Sequence, residues 1–137
     1  MSVLSLKNMI KPEQEAEIEF PGLPGFVITL NYMGRDKLAE IRNQCVTKKF
    51  SKSGLEEGLD FDKFNKLYSS KVIRGWKGLK LSYVTELLLS EIPEGYSPDD
   101  ELPYTEENAE YMLKHASSFD TFVSSTLGDL SNFTKRG

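Results

Sequence analysis

Two short runs of alternating character, joined by Pro21-Gly22-Leu23-Pro24-Gly25, constrain this chain more than any other feature. Before the joint, AEIEF sets Ile18 and Phe20 on one side and Glu17 and Glu19 on the other. After it, FVITLNY sets Phe26, Ile28, Leu30 and Tyr32 on one side, with Thr29 and Asn31 opposite. Side chains alternate along a strand, and clustered proline and glycine form turns. Residues 16–32 therefore read as a β-hairpin with a loop spanning Pro21 to Gly25. Two strands alone are marginal in water, so the hairpin needs a helix or a partner chain behind it. Residues 1–15 read as a flexible arm with little to bury.

From Gly34 the spacing changes to that of a helix. Leu38, Ile41, Cys45 and Val46 share a face, and Asp36 stands in the first turn where an acid is favoured. SKSGLEEG reads as punctuation. A second helix follows, capped by Asp60, with the stripe Phe61, Phe64, Leu67, Tyr68 and Val72. It runs to Trp76 and stops between Gly75 and Gly78, where glycine supplies the left-handed turn. A third helix spans Leu81 to Ser90 with Val84, Leu87 and Leu88 inward, and Pro93 ends it. EGYSPDDELP is an acidic loop. Thr105 caps a fourth helix whose inner side holds Ala109, Met112, Leu113 and Ala116. Phe119, Phe122, Val123, Thr126, Leu127, Leu130 and Phe133 mark a long fifth helix. The tail TKRG reads as frayed. The expectation is a mainly α fold: one domain over residues 16–133, about five helices plus the hairpin, with an α+β arrangement as the alternative.

The 137 residues suit one domain with a proper core, and 28% charged with 39% hydrophobic residues is a globular composition. A net charge of −4 works against polyanionic partners, because the field of the whole molecule repels them. The single cysteine allows no intramolecular disulfide, which fits a reducing compartment. The longest apolar run, Leu87 to Leu89, is far short of the ~20 residues of a membrane span, and no secretory leader is visible. The expected location is cytoplasm, or the cytoplasm of a host.

Catalytic parts are few. His115, the sole histidine, sits late in a helix, where its cation suits the dipole. Cys45 falls on an apolar face and reads as a buried, inert thiol. No third group is signalled that would orient a Cys–His pair. Zinc lacks ligands, and Asp99, Asp100 and Glu101 lack the spacing of a calcium loop. No glycine-rich phosphate motif occurs. The chain reads as a non-enzyme with no cofactor and no metal.

RGWKGLK, Arg74 to Lys80, surrounds the only tryptophan with cations. A base-stacking surface would interleave further aromatics with lysines. Here Phe61, Phe64 and Tyr68 lie upstream on the helical face approaching Trp76. The simpler reading is that Trp76 closes the second helix's apolar stripe, while Lys77 and Lys80 neutralise its carbonyl end. An anchoring role at a protein interface is the other reading.

Taken in order, Val72-Ile73, Trp76 to Leu79, an acidic loop, Pro103 to Asn108, and Leu130 to Phe133 resemble the tail assembly chaperones of long-tailed bacteriophages. The resemblance covers roughly residues 60–133 and includes no catalytic motif. It implies a helper that coats the tape measure protein, keeps it soluble while tail tube subunits polymerise, self-associates, and is absent from the mature virion. It also implies a longer frameshifted form that recruits the tail tube protein, with this chain as the short form in the host cytoplasm.

An acidic domain with an apolar groove could cover amphipathic helices by helix-in-groove packing. Two surfaces are the expected contacts: the hairpin tip with Phe20, Leu23 and Phe26, and the corner of Trp76, Leu79 and Tyr83. The competing readings are a structural tail protein (a completion or tube-associated subunit), a small nucleic-acid regulator built on RGWKGLK, and a small enzyme using Cys45 and His115.

Overall fold

The hairpin forms as the alternation requires, and it acquires a third strand that the alternation did not announce. A computed structural model describes residues 4–11, 13–51 and 54–134. Strand β1 (Glu13–Glu19) pairs antiparallel with β2 (Val27–Met33), with Ile18 opposite Ile28 and Ala16 opposite Leu30. On β2's other side lies β5 (Ile73–Lys77), also antiparallel, giving the order β1-β2-β5. Its register shifts between Thr29 and Leu30, so that Thr29 faces Gly75 and Leu30 faces Ile73. A one-turn helix α1 (Leu6–Met9) precedes the sheet and buries nothing.

Helix α2 (Arg35–Gln44) turns Ile41 inward and delivers Cys45 into the core, while Leu38 stays partly exposed. Val46, expected on that helix, opens β3 (Val46–Ser51), which pairs with β4 (Gly54–Leu59) in a second, separate antiparallel sheet. The segment read as punctuation is therefore a hairpin, with Lys48 registered opposite Glu57. Its connecting residues, 52 and 53, lie outside the described residues.

Helix α3 (Phe61–Val72) starts where Asp60 caps it, the carboxylate accepting the Lys63 N–H at 3.1 Å. It ends earlier than expected. The chain passes straight from Val72 into β5, so Gly75 and Trp76 stand on a strand instead of closing a helix. The reason lies on β2: the Asn31 amide donates to the Lys71 carbonyl at 3.1 Å, satisfying the last turn of α3 from outside. With five strands in two antiparallel sheets among the described residues, the fold is α+β; the mainly α expectation is corrected by β3, β4 and β5.

Helix α4 (Leu81–Leu87) stops short of Ser90, and residues 88–104 form a long connection without helix or named strand. Helix α5 (Glu106–His115) is capped by Thr105, whose hydroxyl accepts the Asn108 N–H at 3.0 Å. The long last helix is interrupted. Helix α6 (Ser117–Leu127) gives way at Gly128, and α7 (Ser131–Thr134) resumes after Asp129 accepts the Ser131 N–H at 3.0 Å. Leu130, placed on the stripe by its spacing, is exposed, whereas Phe133 is buried against Tyr32. Of the tail TKRG, Lys135 to Gly137 lie outside the described residues.

The core sits between the three-stranded sheet and the helices α3, α5 and α6. Phe26, Ile28, Leu30, Ile73, Leu79, Met112, Phe119 and Val123 are fully enclosed there.

Candidate partner-docking groove

All six residues expected at the partner surface meet at one end of the sheet, and they face inward. Phe20, Leu23, Phe26 and Leu79 are buried, and Trp76 and Tyr83 are half-buried against the core. A two-stranded hairpin could not cover them, but α6 does. Phe20 packs on Phe122 with ring centroids 4.8 Å apart, and Phe26 lies near-parallel to Phe119 at 6.4 Å. Trp76 meets Tyr104 edge-on at 5.2 Å, and its indole N–H donates to the Leu102 carbonyl at 2.9 Å. The Tyr83 hydroxyl donates to the Pro24 carbonyl at 2.8 Å, pinning α4 to the hairpin loop. These side chains act as internal pegs, and Trp76, whose N–H already has its acceptor, is not laid out as a stacking platform.

The chain leaves β5 through a tight passage. Gly78 has φ +74°, and a Cβ there would overlap the Gly25 carbonyl, lying 2.8 Å from its carbon. Only glycine fits. Its N–H donates to the Glu101 carboxylate at 2.8 Å, and the Leu102 N–H donates to the Leu79 carbonyl at 2.8 Å.

The acidic connection is accordingly tied down, not loose. Helix α4 begins at Lys80, which offers no side-chain cap. Its first N–H groups find acceptors in the connection instead: Leu81 donates to Asp100 O at 2.7 Å and Ser82 to Pro98 O at 3.0 Å. Within the connection, the Asp100 carboxylate accepts the Ser97 N–H at 2.8 Å, and the Tyr96 N–H reaches Pro93 O at 3.2 Å. Backbone that would otherwise wander becomes one wall of a groove.

The other wall is α4. Between them lies a cleft of about 350 Å³ whose apolar lining includes Leu81, Val84, Ile92, Tyr96, Leu102 and Pro103. Tyr96 remains 62% exposed, and Leu89, just after α4, is fully exposed. Glu91 and Glu101 stand in the lining, and Glu94, Asp99 and Asp100 belong to the same connection. An apolar floor with two acids in its lining suits an amphipathic segment that carries lysine or arginine beside its apolar side chains. The alternating and helical patterns alone could not find this groove, because its walls come from a helix and from a segment with no periodicity. The run of acids with Tyr96 and two prolines was its one visible trace.

Among the described residues no cluster of three His, Cys, Asp or Glu side chains converges for a metal ion. Cys45 is buried at the end of α2, whereas His115 closes α5 at the surface, stacked on Tyr111 at 5.4 Å. Burial, and then the Asp120 carboxylate, hold the Tyr68 phenol above its ordinary range.

In comparisons with known proteins, the family model described as YdaY prophage protein matches residues 33–136, from the end of β2 through α7. No curated protein matches, and no solved structure matches.

Proposed function

This chain belongs to the YdaY prophage protein family and is phage-derived, and we propose that it serves its phage as a tail assembly chaperone. In that role it binds amphipathic helices of the tape measure protein and keeps them soluble while the tail tube polymerises. A longer frameshifted form recruits the tube protein, the work is done in the host cytoplasm, and the chain leaves before the virion is complete. The observation that carries this reading is the groove between α4 and the acidic connection. A long helix with an apolar stripe aggregates unless that stripe is covered. A groove of this size takes a few apolar side chains of one helical face, and the acids beside it hold the cations that flank such a stripe. Two of the segments that resemble tail assembly chaperones adjoin the groove in the chain: Trp76 to Leu79 lead into α4, and Pro103 to Asn108 lead out into α5.

The test is coexpression with the phage's own tape measure protein. The wild-type chain should raise the soluble fraction of that protein severalfold. Tyr96→Lys, a change at an exposed position, should remove most of the gain while leaving the chaperone's melting temperature in place. Equal tape measure solubility with and without the chain, or recovery of the chain in stoichiometric amounts from purified virions, would overturn the reading. The second result would favour a structural tail protein.

A further inference from the structure

We propose that this chain forms a twofold dimer by strand addition, with residues 4–11 of each copy pairing antiparallel with the open edge of β1 in the other. The proposal shares no residue with the α4 groove and does not rest on the chaperone reading.

The edge comes first. Strand β1 is terminal in the order β1-β2-β5. The Phe20 N–H donates to the Phe26 carbonyl at 2.9 Å, which marks Phe20 and Phe26 as a hydrogen-bonded pair. Such pairs alternate along an antiparallel ladder. Gln14, Ala16 and Ile18 therefore point their backbone groups at β2, and Glu13, Glu15, Glu17 and Glu19 point theirs away from it. The Glu15 carbonyl receives the Gln14 side-chain amide at 3.2 Å, as a carbonyl aimed away from β2 can. Beside this edge runs a cleft of about 480 Å³, lined from Gln14 to Glu19 and closed by Asn132 and Phe133. It is a slot for one more strand.

The occupant is on the same chain. Leu4, Leu6, Met9 and Ile10 are 87, 71, 63 and 62% exposed, and α1, a single turn, buries none of its residues. One turn without tertiary support is too short to hold itself together. Drawn out as a strand, residues 4–11 place Leu4, Leu6, Asn8 and Ile10 on one face and Ser5, Lys7, Met9 and Lys11 on the other. That alternation complements β1, whose glutamates share one face while Ala16 and Ile18 share the other with the sheet's core side.

The charges select a register. With Glu13 opposite Lys11, Glu15 opposite Met9, Glu17 opposite Lys7 and Glu19 opposite Ser5, each copy supplies two opposite-charge pairs, and Leu6 falls beside Ile18. Sliding by one hydrogen-bonded pair in either direction sets Lys11 against Lys11, or Glu13 against Glu13. Like charges directly opposed are unfavourable. A net-acidic chain repels its own copies, so the two lysines ahead of β1 are the groups that make this contact possible.

Sedimentation equilibrium at roughly 1 to 100 µM reads the outcome. The wild type should be dimeric at the upper end of that range. Lys7→Glu with Lys11→Glu, and separately Glu13→Lys with Glu17→Lys, should each weaken the dimer at least about tenfold, since every opposite-charge pair across the strands becomes like-charged. A one-to-one mixture of these two double variants should restore it as a heterodimer. Glu17→Pro removes an N–H that does not serve the β1–β2 ladder, so it should abolish the dimer while circular dichroism stays native. A wild type that is monomeric throughout, or one whose association ignores both charge reversals, would overturn the proposal.

Discussion

Gly78 shows how one residue can decide the path of the chain. Its positive φ and the Gly25 carbonyl leave no room for a β-carbon at the point where β5 hands over to α4. Gly78→Ala should lower stability by roughly 2–4 kcal/mol, combining left-handed strain with backbone overlap, as measured by urea denaturation. Tyr68 gives the molecule a response to alkali. Its phenol is held above 10.0 by burial and by the Asp120 carboxylate, so the folded state keeps its proton longer than the unfolded chain does. That contribution is complete below pH 10 and is lost as pH rises through the raised folded value. Tyr68→Phe should flatten the fall in melting temperature above pH 10, which alkaline melting curves of the two proteins will test. The sequence put Tyr68 on an apolar stripe correctly, but it had no means of placing Asp120 beside it.

At the scale of elements, the helices that begin with a side-chain cap were legible and the strands without clear alternation were not. Asp60 and Thr105 each stand three residues ahead of the N–H they accept, a local relation that the sequence carries whole. Thr105→Ala should cost about 1 kcal/mol and loosen the first turn of α5, seen as faster amide exchange at Asn108. Helix α4 lacks a side-chain cap, and the carbonyls that replace it belong to Asp100 and Pro98, far along the chain. That support for its first turn was therefore hidden from the sequence. The run from Val46 to Leu59 offered lysines and glutamates where strands usually show apolar alternation, and its pairing becomes visible only when the two halves meet. Strand β5 was missed for a related reason. Val72, Ile73 and Trp76 continue the helical stripe well enough that only the neighbouring β2 breaks the tie, through Asn31 and through its free edge.

The whole molecule is organised around one aromatic stack. Phe119 of α6 packs near-parallel to Phe20 and Phe26 of the hairpin region and edge-on to Trp76 of β5, with centroid separations of 6.4, 6.4 and 6.5 Å. The last helix and the first sheet thus share one core. Phe119→Ala should cost roughly 3–5 kcal/mol, and both regions should unfold in a single lowered transition by near-ultraviolet and far-ultraviolet circular dichroism. This stack also explains why the hairpin-tip and tryptophan residues turned out to be internal. Their size and apolar character called for a cover, and the sequence offered no way to know that the cover was Phe119 and Phe122 of the same chain. What remains at the surface is the α4 groove with its acids and the β1 edge with its glutamates. Short-range order determined the first hairpin, the capped helices, the buried thiol and the acidic balance, because each depends on residues within a few positions of one another. The tertiary structure alone decided the third strand and the groove, because each depends on hydrogen-bond partners and apolar cover brought from distant parts of the chain; the second sheet and the break after Leu127 are local, but a charged run and a continuing apolar stripe concealed them.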